Sequence, residues 1–513
     1  MLYNSYIFIF LFLPITLLGF HILRKKGHYR LTISWLIVAS LFFYGWWNPI
    51  YIGLLIGSAL FNYTFGFILL NRPYKFFLSL GIIGNLGALG YFKYANFFVD
   101  NINILLGNNI ILEQIILPLG ISFFTFQQIT YLVDTYLGKT KEYNFLQYFL
   151  FVTFFPQLIS GPIVHHEKMM PQFAKNVLGS LRLENLAVGF TTFIIGLFKK
   201  VCLADNIAIF ADPAFDAAGQ GFNLTFFEAW GGALAYAFQA YFDFSGYSEM
   251  ALGIGLMFGI ALPFNFLSPF KAKNISEFWR CWHMTLTKFI RDYLYFPISL
   301  SLTRYAVDKN LGYIGVFALN ILIPPMFAFF CVGLWHGAGW NFILFGLVHG
   351  AYIVIHNIWV KINNKIPENK RIKENNITNI ISRFITFAVV VFSFVIFRAE
   401  NVEVANNIMK SLLGMHGIEF VDMFRIGVFG ANPKIGIVWI ILSLLIVNFL
   451  PNVQEFILNQ SKVFINWGDT IVNGHSQIIK WRPTLYWGVI FAIMLTLSVI
   501  GFSDTNEFIY FQF

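Results

Sequence analysis

Two tryptophan–histidine pairs interrupt a chain dominated by apolar residues: Trp282–His283 within "EFWRCWHMTLTKFIRDYLYFP" (Glu277 to Pro297) and Trp335–His336 within "GLWHGAGWNF" (Gly333 to Phe342). Histidine gives and takes a proton near neutral pH more readily than any other side chain. Burying one in lipid without use is costly, so both are candidates for proton transfer. On an uninterrupted helix, Arg280, His283, Thr287 and Arg291 share one narrow face, while Trp282, Phe289 and Leu294 point elsewhere. Two readings follow. Arg280 and Arg291 hold the phosphates of a nucleotide-like acyl donor while His283 faces the reacting group; or the segment is an interfacial helix whose arginines meet lipid phosphates.

Acids also occur in apolar surroundings. "AYFDFSGYSEMALGIGLMFG" (Ala240 to Gly259) carries Asp243, Ser245 and Glu249. Intramembrane acids are functional candidates, but a structural role is preferred here, in which an acid neutralises a nearby arginine and fixes its rotamer. Gly253, Gly255 and Gly259 follow no strand, so they are not a dinucleotide loop; Gly255 and Gly259 are expected to permit close helix packing. His165, His166 and Glu167 are adjacent, their side chains diverge, and no metal site is indicated. Cys202, Cys281 and Cys331 are too widely spaced for a disulfide framework or a zinc cluster and read as small core residues. "FIYFQF" (Phe508 to Phe513) is either an aromatic belt at the membrane surface or a tail that bends back, carrying the Tyr510 hydroxyl toward a reaction centre.

These groups must be positioned by membrane helices. Of the 513 residues 58% are hydrophobic and only 12% charged, against about 25% charged in a soluble domain. Apolar runs recur at Ile7 to Leu23, Leu31 to Trp47, Ile52 to Leu70, Phe77 to Tyr94, Ala187 to Leu197, Leu311 to Leu334, Phe342 to Ile358, Phe384 to Phe397, Ile435 to Leu450 and Leu485 to Phe502. With shorter runs between them, the expectation is an all-α polytopic membrane protein of about eleven transmembrane helices. "RKKGHYR" follows the first run instead of preceding it, which argues against a cleaved signal peptide and places the N-terminus outside. Lys462, Lys480 and Arg482 before the last run, and the acidic "SDTNE" after it, place the C-terminus outside too.

The net charge of +9 belongs to cytoplasmic loops; it implies membrane lipids as partners and calls for no nucleic acid. Residues 361–379 read as a polar cytoplasmic loop and 503–513 as an external tail. Lys271 to Arg304 is too charged to span and too aromatic for a free loop, so it re-enters the membrane or lies along it. Neither a solenoid period nor inverted halves are visible.

Taken together the segments resemble the membrane-bound O-acyltransferase (MBOAT) family, in particular its bacterial branch that O-acetylates exported polysaccharides such as peptidoglycan and alginate. The resemblance rests on "NSYIFIFLFLPI", "PLGISFFTFQQITYLVD", "FFPQLISGPIVHHEKMMPQF", "YFDFSGYSEMALG", "LPFNFLSPF", "FWRCWHMTLTKFIRDYLYFP", "GLWHGAGWNFILFGLVHG", "FRAE" and "FIYFQF", which cover nearly the whole chain. Cys281 departs from it, since the family more often has a second arginine beside Arg280.

The resemblance implies one MBOAT membrane domain over residues 1–513, with a ring of helices around a central tunnel, His336 as the catalytic histidine and His283 facing it. Glycines around His336 would let a thin acyl chain approach the backbone, and Trp335 and Trp340 would wall the passage. "FIYFQF" is also similar to the tail of the small partner in teichoic acid D-alanylation, which suggests Tyr510 as a built-in acyl acceptor. The implied donor is acetyl-CoA, a substrate and not a bound cofactor; His336 is the base, His283 or a nearby donor steadies the oxyanion, and Asp243 and Arg398 support. An extracytoplasmic serine esterase-like partner would complete the sugar chemistry, on peptidoglycan in preference to an alginate-like polymer. Two alternatives stand beside this reading: a secondary transporter or scaffold with a histidine-lined proton path, and an acyltransferase that acts on teichoic acid or lipid.

Overall fold

The computed structural model describes residues 1–140, 144–174, 178, 183–367, 375–418, 433–457, 481–504 and 508–509. Seven helices in it are long and apolar enough to cross a membrane: Phe8–Lys25, Ile50–Asn71, Lys75–Leu106, Leu183–Gly219, Tyr313–His336, Trp340–Lys365 and Asn376–Arg398. Three shorter apolar helices, Tyr29–Gly45, Lys434–Phe449 and Leu485–Ile500, accompany them. All ten runs read from the sequence fall on these helices, because the length of an apolar run is a local property and lipid leaves the backbone no other partner than its own helix. The polar insert is shorter than 361–379: one helix continues to Lys365, and Asn375 caps the next through a reciprocal pair with Thr378.

The chain gathers into two compact units. The first comprises Met1–Cys202, Phe244–Phe264 and Val453–Gln512. Within it the helices Ile50–Asn71 and Lys75–Leu106 are tied by reciprocal amide hydrogen bonds between Asn62 and Asn85, at 3.0 and 2.6 Å. The helix Leu183–Phe198 meets the end of the long helix Phe226–Met257 at two glycine pairs. A Cβ on Gly253 would lie 2.6 Å from the Gly189 carbonyl oxygen, and one on Gly246 would lie 2.6 Å from that of Gly196. The close-packing glycines are thus Gly246 and Gly253 instead of the expected Gly255 and Gly259; Gly259 has φ +74° and sits just beyond the helix end. Glu249 pairs with Lys199, a lysine where an arginine was expected.

The first unit also receives the C-terminal tail. Phe508 is buried and stacks on Tyr247 with ring centroids 4.3 Å apart, and Tyr247 stacks in turn on Tyr3 at 4.8 Å. The Tyr3 hydroxyl donates to the Phe155 carbonyl oxygen at 2.9 Å. At Phe508 and Ile509, therefore, the tail returns to the protein interior and does not form a surface belt. Tyr510 lies outside the described residues.

The second unit comprises Leu203–Asp243 and Asn265–Asn452. Its centre is a helical hairpin, Ile323–His336 and Trp340–Lys365, joined by the extended Gly337 to Gly339. The two helices are in backbone contact: a Cβ on Gly346 would collide with the Phe329 carbonyl oxygen, and one on Gly333 with that of Phe342. Gly337 faces the Phe342 ring in the same way. These glycines let the two helices of the hairpin approach each other closely.

Candidate active site

His336 is the last residue of its helix, 6% exposed, at the turn of the hairpin. Its ring is packed by Trp335 (centroids 4.8 Å apart), by Phe345 from the second hairpin helix (5.7 Å) and by Phe397 near the end of Asn376–Arg398 (5.0 Å). Three helices therefore fix one imidazole among apolar rings.

His283 reaches the same neighbourhood by a different device. The helix Ile275–Cys281, capped by Asn274, stops at an extended Trp282; His283 has φ +42° and a second short helix, Met284–Ile290, follows. A non-glycine residue in the left-handed region is strained and has to be held by its surroundings. The continuous helix expected from the sequence is therefore broken, and the Arg280–His283–Thr287–Arg291 stripe does not form. His283 turns inward, 1% exposed, with its ring 5.7 Å from that of Trp335, while Arg280 and Arg291 are exposed. Arg291 pairs with the adjacent Asp292 at 2.8 Å.

Asn265 holds the break. Its Oδ1 accepts from the Thr285 backbone N–H (3.2 Å), the Thr285 hydroxyl (3.0 Å) and His283 Nδ1 (3.1 Å), and its carbonyl accepts from Met284 N–H (2.9 Å). A backbone N–H can only donate, so the amide orientation is settled; Nδ1 must then carry the proton, and Nε2 holds the lone pair. In that tautomer His283 can accept a proton at Nε2. The residue lies outside the seven spans, and burial pushes its pKa down to about 3, so it is neutral near pH 7.

A further buried histidine, packed on the same elements, escaped the sequence reading. His349, fully buried, accepts from Trp279 Nε1–H at Nδ1 (3.1 Å) and lies 2.8 Å from Ser393 Oγ through Nε2. Since the Ser393 hydroxyl donates to the Val390 carbonyl (2.7 Å), Nε2–H is the donor, and both nitrogens are used. His349 thereby ties together the segment of His283, the hairpin of His336 and the helix of Arg398. The only signal for it was the second histidine in "GLWHGAGWNFILFGLVHG".

Arg398 forms an ion pair with Asp212 (3.0 Å) and lies over the Phe215 ring at 5.4 Å. Asp212 had not been singled out. Asp243 is buried on the long helix, and together with Asp212 and Arg398 it acts electrostatically on the Tyr236 phenol, another buried group missed from sequence. Trp335 is buried against the rings of both His283 and His336, whereas Trp340 is 59% exposed. Among the described residues no cluster of three or more His, Cys, Asp or Glu could hold a metal, and Cys202, Cys281 and Cys331 are half-buried free thiols.

Two buried imidazoles, those of His283 and His336, pack on one Trp335 ring in a chain of membrane-length apolar helices. Residues 131–397 match the family model described as MBOAT, membrane-bound O-acyltransferase family, and the chain belongs to that family. It is a multi-pass membrane O-acyltransferase, and the transporter reading falls away. Among its relatives, it is 42% identical to the peptidoglycan O-acetyltransferase of Helicobacter pylori over 459 residues, 83% of this chain and 82% of that one. It is 37% identical to the probable alginate O-acetylase AlgI of Pseudomonas aeruginosa over 440 residues, 84% and 78% of the two chains. The teichoic acid D-alanyltransferase of Streptococcus thermophilus is 30% identical over 291 residues, 54% of this chain and 68% of the other.

Proposed function

We propose that the protein takes acetyl from cytoplasmic acetyl-CoA and passes it across the membrane for O-acetylation of an extracytoplasmic polysaccharide, peptidoglycan in preference to an alginate-like polymer. The observation that carries the reading is the packing of His283 and His336 on one buried Trp335 ring within an O-acyltransferase. Relatives named for peptidoglycan and alginate support acetyl and polysaccharide over the D-alanyl and teichoic acid alternative, whose relatives match much less of the chain.

In this mechanism a histidine of the pair, His336 in the first place, takes the proton of the attacking hydroxyl as its oxygen bonds to the thioester carbonyl carbon. The tetrahedral intermediate collapses, the carbon–sulfur bond breaks, and the CoA thiolate leaves and takes up a proton. The hydroxyl is that of Tyr510. A thiol of pKa about 8.5 is a better leaving group than a phenol of about 10, and the phenol a better one than a sugar hydroxyl, so transfer from thioester to tyrosyl ester to sugar runs downhill. Burial of Phe508 and Ile509 supports a tail that folds inward two residues before Tyr510. Arg280 and Arg291, both exposed, are suited to the CoA phosphates; Asp243 and Arg398 support the site, Trp335 and Trp340 its walls. A serine esterase-like partner outside completes the transfer. We place the chain in the cytoplasmic membrane with both termini outside, working as a single domain.

The test is the mass of the C-terminal peptide after purified protein meets isotopically heavy acetyl-CoA. One heavy acetyl on Tyr510, lost in His336→Ala and in Tyr510→Phe, is expected. CoA release that depends on His336 without label on Tyr510 would remove the relay and keep the transferase.

A further inference from the structure

Asn265 is 2% exposed and lies in the connection between the long helix and Ile275–Cys281. Its oxygen end is saturated: three donors from His283 and Thr285 converge on Oδ1. The other end of the amide is the opposite case. The Nδ2 group is buried and donates to none of the described residues. Proteins rarely leave an amide NH2 buried without an acceptor, because it has given up its hydrogen bonds to water for nothing. Where that occurs at a site of chemistry, the missing acceptor is a candidate for the reacting molecule.

The position fits one acceptor. The amide that orients His283 Nδ1 cannot also rotate, so its two N–H bonds have a fixed direction beside an imidazole whose lone pair is at Nε2. A proton acceptor in the histidine pair and a preorganised amide donor beside that pair are what addition to an acyl group requires, one for the proton that leaves the nucleophile and one for the charge that develops on the carbonyl oxygen. Neither neutral histidine nitrogen need then act as the donor.

We propose that Asn265 is a catalytic residue, its Nδ2–H donating to the acyl carbonyl oxygen as that oxygen becomes an anion. As the hydroxyl oxygen bonds to the carbonyl carbon, its proton goes to imidazole and the carbonyl π electrons go to the oxygen, where they meet the Asn265 N–H. On collapse the electrons return, the bond to the leaving sulfur breaks, and the amide is again without an acceptor. No oxidant or further reactant enters. This rests on the reading that the histidine pair performs acyl transfer.

The experiment replaces the native protein with variants in the producing cells and measures base-labile acetate on the polysaccharide fraction, per amount of monodisperse membrane protein, during a short induction. Asn265→Asp keeps an oxygen for each of the three donors and deletes the NH2; a loss of about 10²–10³-fold is expected, the size seen when an oxyanion donor is removed. Asn265→Ala and Asn265→Ser form a second pair that does not introduce a charge: the serine hydroxyl can donate, and at least tenfold more ester than in the alanine variant is expected. Wild-type ester levels in the aspartate variant, or equal levels in the alanine and serine variants, would overturn the assignment. His336→Ala separates the two ideas. If it is inactive while the Asn265 variants are fully active, only the role of Asn265 fails; if it is fully active, or if the native protein adds no acetate, the histidine reading itself fails.

Discussion

Asn265 Oδ1 lies 3.1 Å from His283 Nδ1 while it accepts the Thr285 backbone N–H, and this pair sets which nitrogen of the histidine holds the lone pair. The two residues are 18 positions apart and meet only because the chain turns at His283 in a left-handed conformation. A neutral imidazole with Nδ1–H and a basic Nε2 follows from donor and acceptor rules alone. In 15N spectra of histidine-labelled protein at neutral pH, the His283 signals are expected to show a protonated Nδ1 and an unprotonated Nε2. The reverse pattern would mean that the amide does not hold the ring.

Acid should expose the same residue. With a folded pKa near 3 and an ordinary value of 6.5, the unfolded chain binds a proton that the folded one refuses anywhere between those values. The contribution of neutral His283 to stability is complete above pH 6.5 and is lost as the pH falls toward 3. Each unit of that descent costs about 1.4 kcal/mol. His283→Gln should therefore show a flatter decline of thermal stability in detergent as the pH is lowered; an unchanged slope would contradict it.

His349 makes a sharper stability prediction. His349→Leu leaves the Trp279 indole N–H buried without its acceptor, at a cost of about 1–3 kcal/mol. Glutamine can accept from Trp279 and donate to Ser393, so His349→Gln is expected to recover much of the loss. In the double variant His349→Leu with Trp279→Phe, both partners are gone, and the pair should cost less than the sum of the single changes. Additive costs measured by thermal unfolding would show that the 3.1 Å contact does not hold the two elements together.

Gly253 tests the helix crossing. A methyl group there would lie 2.6 Å from backbone atoms of Gly189 and Phe193, which cannot move aside as a side chain can. Gly253→Ala is expected to lower stability by about 1–3 kcal/mol. Gly57, in the helix Ile50–Asn71, is open: a methyl group added there would meet nothing within 4 Å, and Gly57→Ala should raise stability by about 0.5–1 kcal/mol through helix propensity. Equal effects at the two positions would rule out the close crossing.

By itself the sequence determined the class of structure and the chemistry worth looking for. Apolar runs near 20 residues specify membrane helices wherever they occur, and a histidine set in such a run is conspicuous without any knowledge of its neighbours. His283 and His336 were legible for that reason, and the segments around them were enough to suggest the family. What the tertiary structure decided is how those groups are held. The turn at Trp282 and His283 is stabilised by Asn265 from outside the helix, so a helical wheel drawn through Arg280 and Arg291 could not see it. Asp212 meets Arg398 across 186 positions, and His349 meets Ser393 across 44. Such pairs depend on which helix faces which, and hydropathy carries no record of that in a chain whose helices are apolar on every side. The glycines show the same limit: their spacing marks a close approach, but whether the visitor is a substrate or another helix is settled only when the partner backbone is in place.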